Sequence, residues 1–194
     1  HRGLWSMVEK RVVPVSMVMF AGGIAFSGIL SFTNAYTKEI GLTEASSLFF
    51  LVYAAGLFAS RPLAGKLYDR RGENVVLYPA IAFFGVCYVL LAVARGGFVL
   101  LLAAVCLAFG YGTLMSVLQN VVVRLAEPQR MGMAISTFYI CLDVGTGLGG
   151  YLIGWLIGTF GFRSMYGLVA CLLFAMLPVY FGVHGRRVGR GRLG

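Results

Sequence analysis

Long apolar runs joined by short charged segments decide what this chain can fold into. Residues 48–58 read LFFLVYAAGLF and residues 75–94 read VVLYPAIAFFGVCYVLLAVA, with RPLAGKLYDRRGENVVLY bridging them at 61–78. A helix needs roughly 20 apolar residues to cross the hydrocarbon of a bilayer. Within that layer the backbone must satisfy its own hydrogen bonds, so each run is expected to be helical. With 59% hydrophobic and 12% charged residues among 194, the chain lies outside the usual composition of soluble domains. The runs place six spans, at 12–33, 46–63, 75–94, 98–123, 133–157 and 165–183. The expected fold class is all-α, a polytopic membrane protein whose six transmembrane helices occupy 12–183, between a cytoplasmic linker at 1–11 and a basic cytoplasmic tail at 184–194.

The net charge of +9 could point to nucleic acid, but the cations do not gather on one soluble face. They sit in short segments between apolar runs, which suits an anionic membrane surface. The lipid bilayer is the expected partner and no nucleic acid is expected. Of the 16 Lys and Arg residues, 13 fall in the amino-terminal segment, the second and fourth turns and the tail, leaving Lys38, Arg95 and Arg163 for the other side. The excess of cations in cytoplasmic loops then puts both termini in the cytoplasm.

Cys87, Cys106, Cys141 and Cys171 all fall inside apolar runs without a CxxC pair, and His1 and His184 lie near the termini. No metal site, disulfide framework or cofactor is expected from such spacing, and the thiols read as small core residues. Asp143 is the one acid inside a span. A carboxyl at that depth is costly and usually faces the bundle interior or a water-filled path. It is a candidate for the proton or substrate pathway, with a plain hydrogen bond to a neighbouring helix as the structural alternative. An intramembrane aspartyl protease would need a second carboxylate, which no other span supplies, so no catalytic residue and no enzyme activity are expected.

Gly145-Thr146-Gly147-Leu148-Gly149-Gly150 satisfies GxGxxG literally. A dinucleotide site also needs a preceding strand and an acid about 20 residues on, and neither is present. The glycines read instead as helix packing, with Gly150, Gly154 and Gly158 forming a ridge and Gly145 and Gly149 a neighbouring face. Gly23, Ser27 and Ser31 form a similar small-residue face in the first span. Tyr53, Phe138, Tyr139 and Trp155 are aromatics that could line a pocket.

The charged turn, Gly65-Lys66-Leu67-Tyr68-Asp69-Arg70-Arg71-Gly72-Glu73-Asn74-Val75-Val76-Leu77, resembles the loop signature of the major facilitator superfamily. Gly65, Leu67, Asp69, Arg70, Gly72 and Leu77 match it, whereas Glu73 and Asn74 stand where the family usually carries cations. Residues 136–154, following Arg130-Met131-Gly132-Met133-Ala134, are similar to the eleventh helix of facilitator-family exporters. The fourth span lacks an arginine before Arg124 and the chain begins with His1, so the resemblance implies the C-terminal half of a twelve-helix transporter. It further implies a cytoplasmic gate built on Gly65, Asp69, Arg70 and Gly72, with Asp69 helping to lock that side when the transporter faces outward. The implied partners are an N-terminal six-helix half and a small-molecule substrate. The implied activity is proton-coupled export of small amphipathic molecules by alternating access, at a bacterial inner or plasma membrane. The competing expectation is a six-span membrane scaffold or assembly partner that transports nothing.

Overall fold

The computed structural model describes residues 12–180, and every described element is helical. The linker expected at 1–11 and the tail expected at 184–194 lie outside the described residues. Helix α1 is Val13–Glu39 with Pro14 in its first turn, where the missing N–H is one the helix would leave unpaired anyway. Helix α2 is Thr43–Arg71 and α3 is Glu73–Val93. One further rod, Gly97–Leu125, consists of α4 (Gly97–Leu107), a π-helical turn (Ala108–Gly112) and α5 (Thr113–Leu125). A short 3-10 turn at Pro128–Arg130 leads into α6, Met131–Tyr180.

Among the described residues, five helices are long and apolar enough to cross a membrane. The last of them, at 50 residues, is far longer than one crossing needs, and it is broken at Gly161, where φ is 79° and ψ is 170°. That conformation belongs almost only to glycine, and a side chain there costs on the order of 1–3 kcal/mol. The chain reverses at this residue. On the first arm, Leu142 and Thr146 meet Gly23, and Ile153 meets Gly28, so this arm runs parallel to α1. On the second arm, Tyr166 packs on Tyr88 and Phe174 on Gly85, so this arm runs antiparallel to α3.

The turns differ in extent from the sequence expectation. The charged stretch at 61–78 is mostly helix: α2 continues through Arg71, and Gly72 alone, at φ 83°, separates it from α3. The first turn, expected between the spans ending at 33 and beginning at 46, shrinks to 40–42, and the last, expected between 157 and 165, shrinks to Gly161. Near an apolar layer it costs free energy for a backbone group to leave its helical partner, so helices run on until a glycine allows a sharp reversal.

Aromatic side chains fill the core, among them fully buried Tyr36, Phe84, Tyr88, Phe138 and Tyr166. Two of their hydroxyls tie helices together through backbone carbonyls. Tyr36 on α1 donates to Leu91 O on α3 at 2.6 Å, and Tyr88 on α3 donates to Ala25 O on α1. A buried hydroxyl without an acceptor would cost about 1–3 kcal/mol, so these bonds fix the α1–α3 register as well as joining the helices. At one end of the bundle the Arg163 guanidinium donates to Ala94 O at 3.1 Å. At the other, Arg124 donates to the Tyr68 hydroxyl at 3.1 Å, with its guanidinium 5.7 Å from the ring centroid.

Candidate functional site

Asp143 stands near the middle of the first arm of α6, on its uncovered side. At 100° per residue, Gly132, Ser136, Asp143, Gly147, Gly150, Gly154 and Gly158 fall along one face of that arm. A Cβ added at Gly132, Gly147, Gly150 or Gly158 would meet nothing within 4 Å, and at Gly154 only the Phe32 ring, at 3.2 Å. The opposite face is closed: Ala134, Phe138, Leu142 and Ile153 are buried there. The first arm therefore has one packed apolar side and one open side, on which the small residues and Asp143 form a strip flanked by exposed Ile140, Val144 and Tyr151.

This arrangement redistributes the glycine roles. Of the five α6 glycines expected to pack, Gly145 and Gly149 make the close helix contacts, where a Cβ would press on the Phe20 carbonyl oxygen and stand 2.6 Å from Ile24 Cα respectively. The ridge of Gly150, Gly154 and Gly158 makes no such contact except the one with Phe32, because it lies on the open side beside Asp143. On α1, Gly23 and Ser27 join the packed seam, whereas Ser31 is exposed.

Three aromatics from other helices converge on the same depth. Phe26 is the central residue of α1, and Tyr111 is the central residue of the Gly97–Leu125 rod. Their rings stack with centroids 4.0 Å apart and planes within 2°. Tyr53 of α2 lies 6.2 Å from Phe26, centroid to centroid. These ring contacts draw α1, α2 and the π turn into one cluster. The π turn sets Tyr111 in place. Gly110 rests directly on the α3 backbone, where a Cβ would come 2.5 Å from Phe84 N, and Tyr111 then packs 5.5 Å from the Phe84 ring. Single π turns within α-helices recur at functional sites because the extra residue re-aims the side chains that follow.

The other pocket aromatics separate. Phe138 is buried against Tyr139, and Trp155 is 61% exposed on the side of α6 away from the cluster. Sequence reasoning missed Phe26, Tyr111 and the π turn. The one available signal was the Gly-Tyr-Gly at 110–112 inside an otherwise apolar run.

The charged motif lies at the far end of α2. Asp69 and Arg70 are exposed in its last turn, and Gly65 lies further back with open space at its Cβ position. Gly72 takes the positive φ that ends the helix, its N–H bonded to Tyr68 O at 2.9 Å. A carboxylate in a final helical turn meets the negative end of the helix dipole, so Asp69 gains nothing from its own helix. Among the described residues no hydrogen bond or ion pair holds it.

Residues 97–192 match the family profile of the Major Facilitator Superfamily. The chain is similar to an uncharacterized MFS-type transporter of Pseudomonas aeruginosa PAO1, with 28% identity over 165 residues that cover 85% of this chain and 40% of the relative. It is also similar to an uncharacterized MFS-type transporter of Burkholderia mallei SAVP1, with 25% identity over 194 residues, 98% of this chain and 47% of the relative. A relative in Burkholderia pseudomallei 668 matches to the same extent. The chain thus spans a little under half the length of these curated relatives.

Proposed function

We infer that this chain belongs to the major facilitator superfamily and forms one half of a twelve-helix secondary transporter in a bacterial inner membrane. In this reading the break at Gly161 divides α6 into two crossings, which brings the count to six. Both termini face the cytoplasm, as the distribution of Lys and Arg suggests. The observation that carries the reading is the open face of α6. A mid-span carboxyl in a row of glycines is poorly suited to lipid, which would leave the charge without water or a partner. The same face is well suited to a cavity shared with a second half, where substrate sites of such transporters lie.

Asp143 serves as the proton carrier. A carboxyl favours its neutral form in dry surroundings and its charged form in wet ones. Alternation between the two sides of the membrane therefore lets it load a proton on one side and release it on the other. Phe26 and Tyr53, backed by the buried ring of Tyr111, supply the apolar and aromatic surface that an amphipathic substrate would need. By its resemblance to the family's loop signature, Asp69 belongs to a gate that closes on the complementary half.

The test is export itself. Everted vesicles carrying the full-length protein should accumulate at least one fluorescent amphipathic probe from a panel and release it when a protonophore is added. Accumulation indifferent to the protonophore would remove proton coupling. No accumulation above vector vesicles across the panel would remove export of this substrate class.

A further inference from the structure

A groove of about 360 Å³ opens between α2, α3 and the π turn, on the side of α2 that carries Lys66 and Arg70. Its walls are apolar, with Leu63 and Leu67 from α2 and Phe83 from α3, and Phe109 of the π turn closes its inner end. Lys66 and Arg70 are one helical turn apart on the same face of α2 and line the end of the groove near the α2–α3 turn. Both are exposed and, among the described residues, neither has a hydrogen-bond or ion-pair partner. Asp69, which lies beside Arg70 in sequence, is not part of the lining.

We propose that this groove is a binding site for one anionic glycerophospholipid, its acyl chain between Leu63, Leu67 and Phe83 and its phosphate on Lys66 and Arg70. The charge pattern selects this occupant. An apolar helix from a second polypeptide would fill the walls but leave two cations unmatched, and a free phosphate would match the cations but leave the walls empty. A phospholipid satisfies both, because its headgroup phosphate sits at the membrane surface where the last turn of α2 emerges and its chain runs inward beside the helices. Basic pockets between transmembrane helices recognise anionic headgroups in this way. Arg70 can donate two parallel hydrogen bonds to the phosphate, and Lys66 adds a point charge. The groove shares the π turn with the mid-depth cluster, since Phe109 faces the groove two residues before Tyr111. The site does not depend on Asp143 or on transport.

The experiment uses the full-length protein, purified in detergent and stripped of lipid. Phosphatidylglycerol should raise the melting temperature by several degrees and remain as one bound molecule in native mass spectrometry. Phosphatidylethanolamine with the same chains and inorganic phosphate should do neither. The variant Lys66→Gln/Arg70→Gln should keep the baseline melting temperature and lose the phosphatidylglycerol shift. An equal shift from phosphatidylethanolamine overturns the anionic preference, an equal shift from inorganic phosphate makes this an ion site, and a full shift in the double variant removes Lys66 and Arg70. Should the double variant not fold, Phe83→Trp with the native tryptophans replaced decides. Chain-brominated phosphatidylglycerol should quench it more strongly than brominated phosphatidylethanolamine, and equal quenching refutes the site.

Discussion

Replacing Asp143 by asparagine in the full-length protein is expected to reduce gradient-driven transport to the level of empty vesicles, with substrate binding and counterflow exchange retained. Asparagine keeps the size of the side chain and much of its hydrogen bonding but cannot exchange a proton. Asp143 is the only acid inside the apolar spans, and its face of α6 is open rather than packed. Energy coupling is therefore lost selectively, because the cavity itself is untouched. The comparison of driven transport with exchange in one preparation is the check. If Asp143 only braces a neighbouring helix, the variant lowers thermal stability and impairs both activities together, or leaves both unchanged.

The second large effect separates two glycines half a turn apart. Gly149→Ala should be destabilising by about 1–3 kcal/mol, the usual cost of forcing an extra carbon into a filled seam. The added Cβ would stand 2.6 Å from Ile24 Cα and closer still to the Ser27 hydroxyl. Backbone on the far side leaves no flexible side chain to yield, so α1 and α6 must move apart. Gly147→Ala should be neutral or stabilising by up to about 1 kcal/mol, since an exposed helical glycine gains from losing conformational freedom. Melting temperatures of the two variants in one detergent provide the measurement. Equal falls would mean that the packed and open faces of α6 are not distinct.

The sequence carried the membrane class openly, because apolar runs of this length have few other solutions. It also carried Asp143, since one charge in a long apolar run is conspicuous. What it did not carry is which side of a helix is covered. Glycines at intervals of four residues look alike whether they face a neighbour or a cavity, and only α1, lying along Gly145 and Gly149, separates them from Gly150 and Gly158. The π turn was hidden for a related reason: its cause is the seat of Gly110 on the α3 backbone, a contact made by residues distant in sequence. Phe26 and Tyr111 looked like ordinary members of apolar runs until the fold stacked them. The break at Gly161 could not be told from the other glycines of α6, because a positive φ leaves no mark in composition.

The central claim is that the face of α6 bearing Asp143 lines a water-filled path that opens to each side of the membrane in turn. Its most direct measurement is thiol accessibility at Gly147, one turn beyond Asp143 on that face, where an added side chain meets nothing within 4 Å. In a background lacking Cys87, Cys106, Cys141, Cys171 and any further cysteines of the full-length protein, Gly147→Cys should react with a membrane-impermeant maleimide from either side. Substrate or a pH gradient should shift the balance between the two sides. A thiol at this position that reacts from neither side under any condition would place the face against lipid or protein and contradict the account.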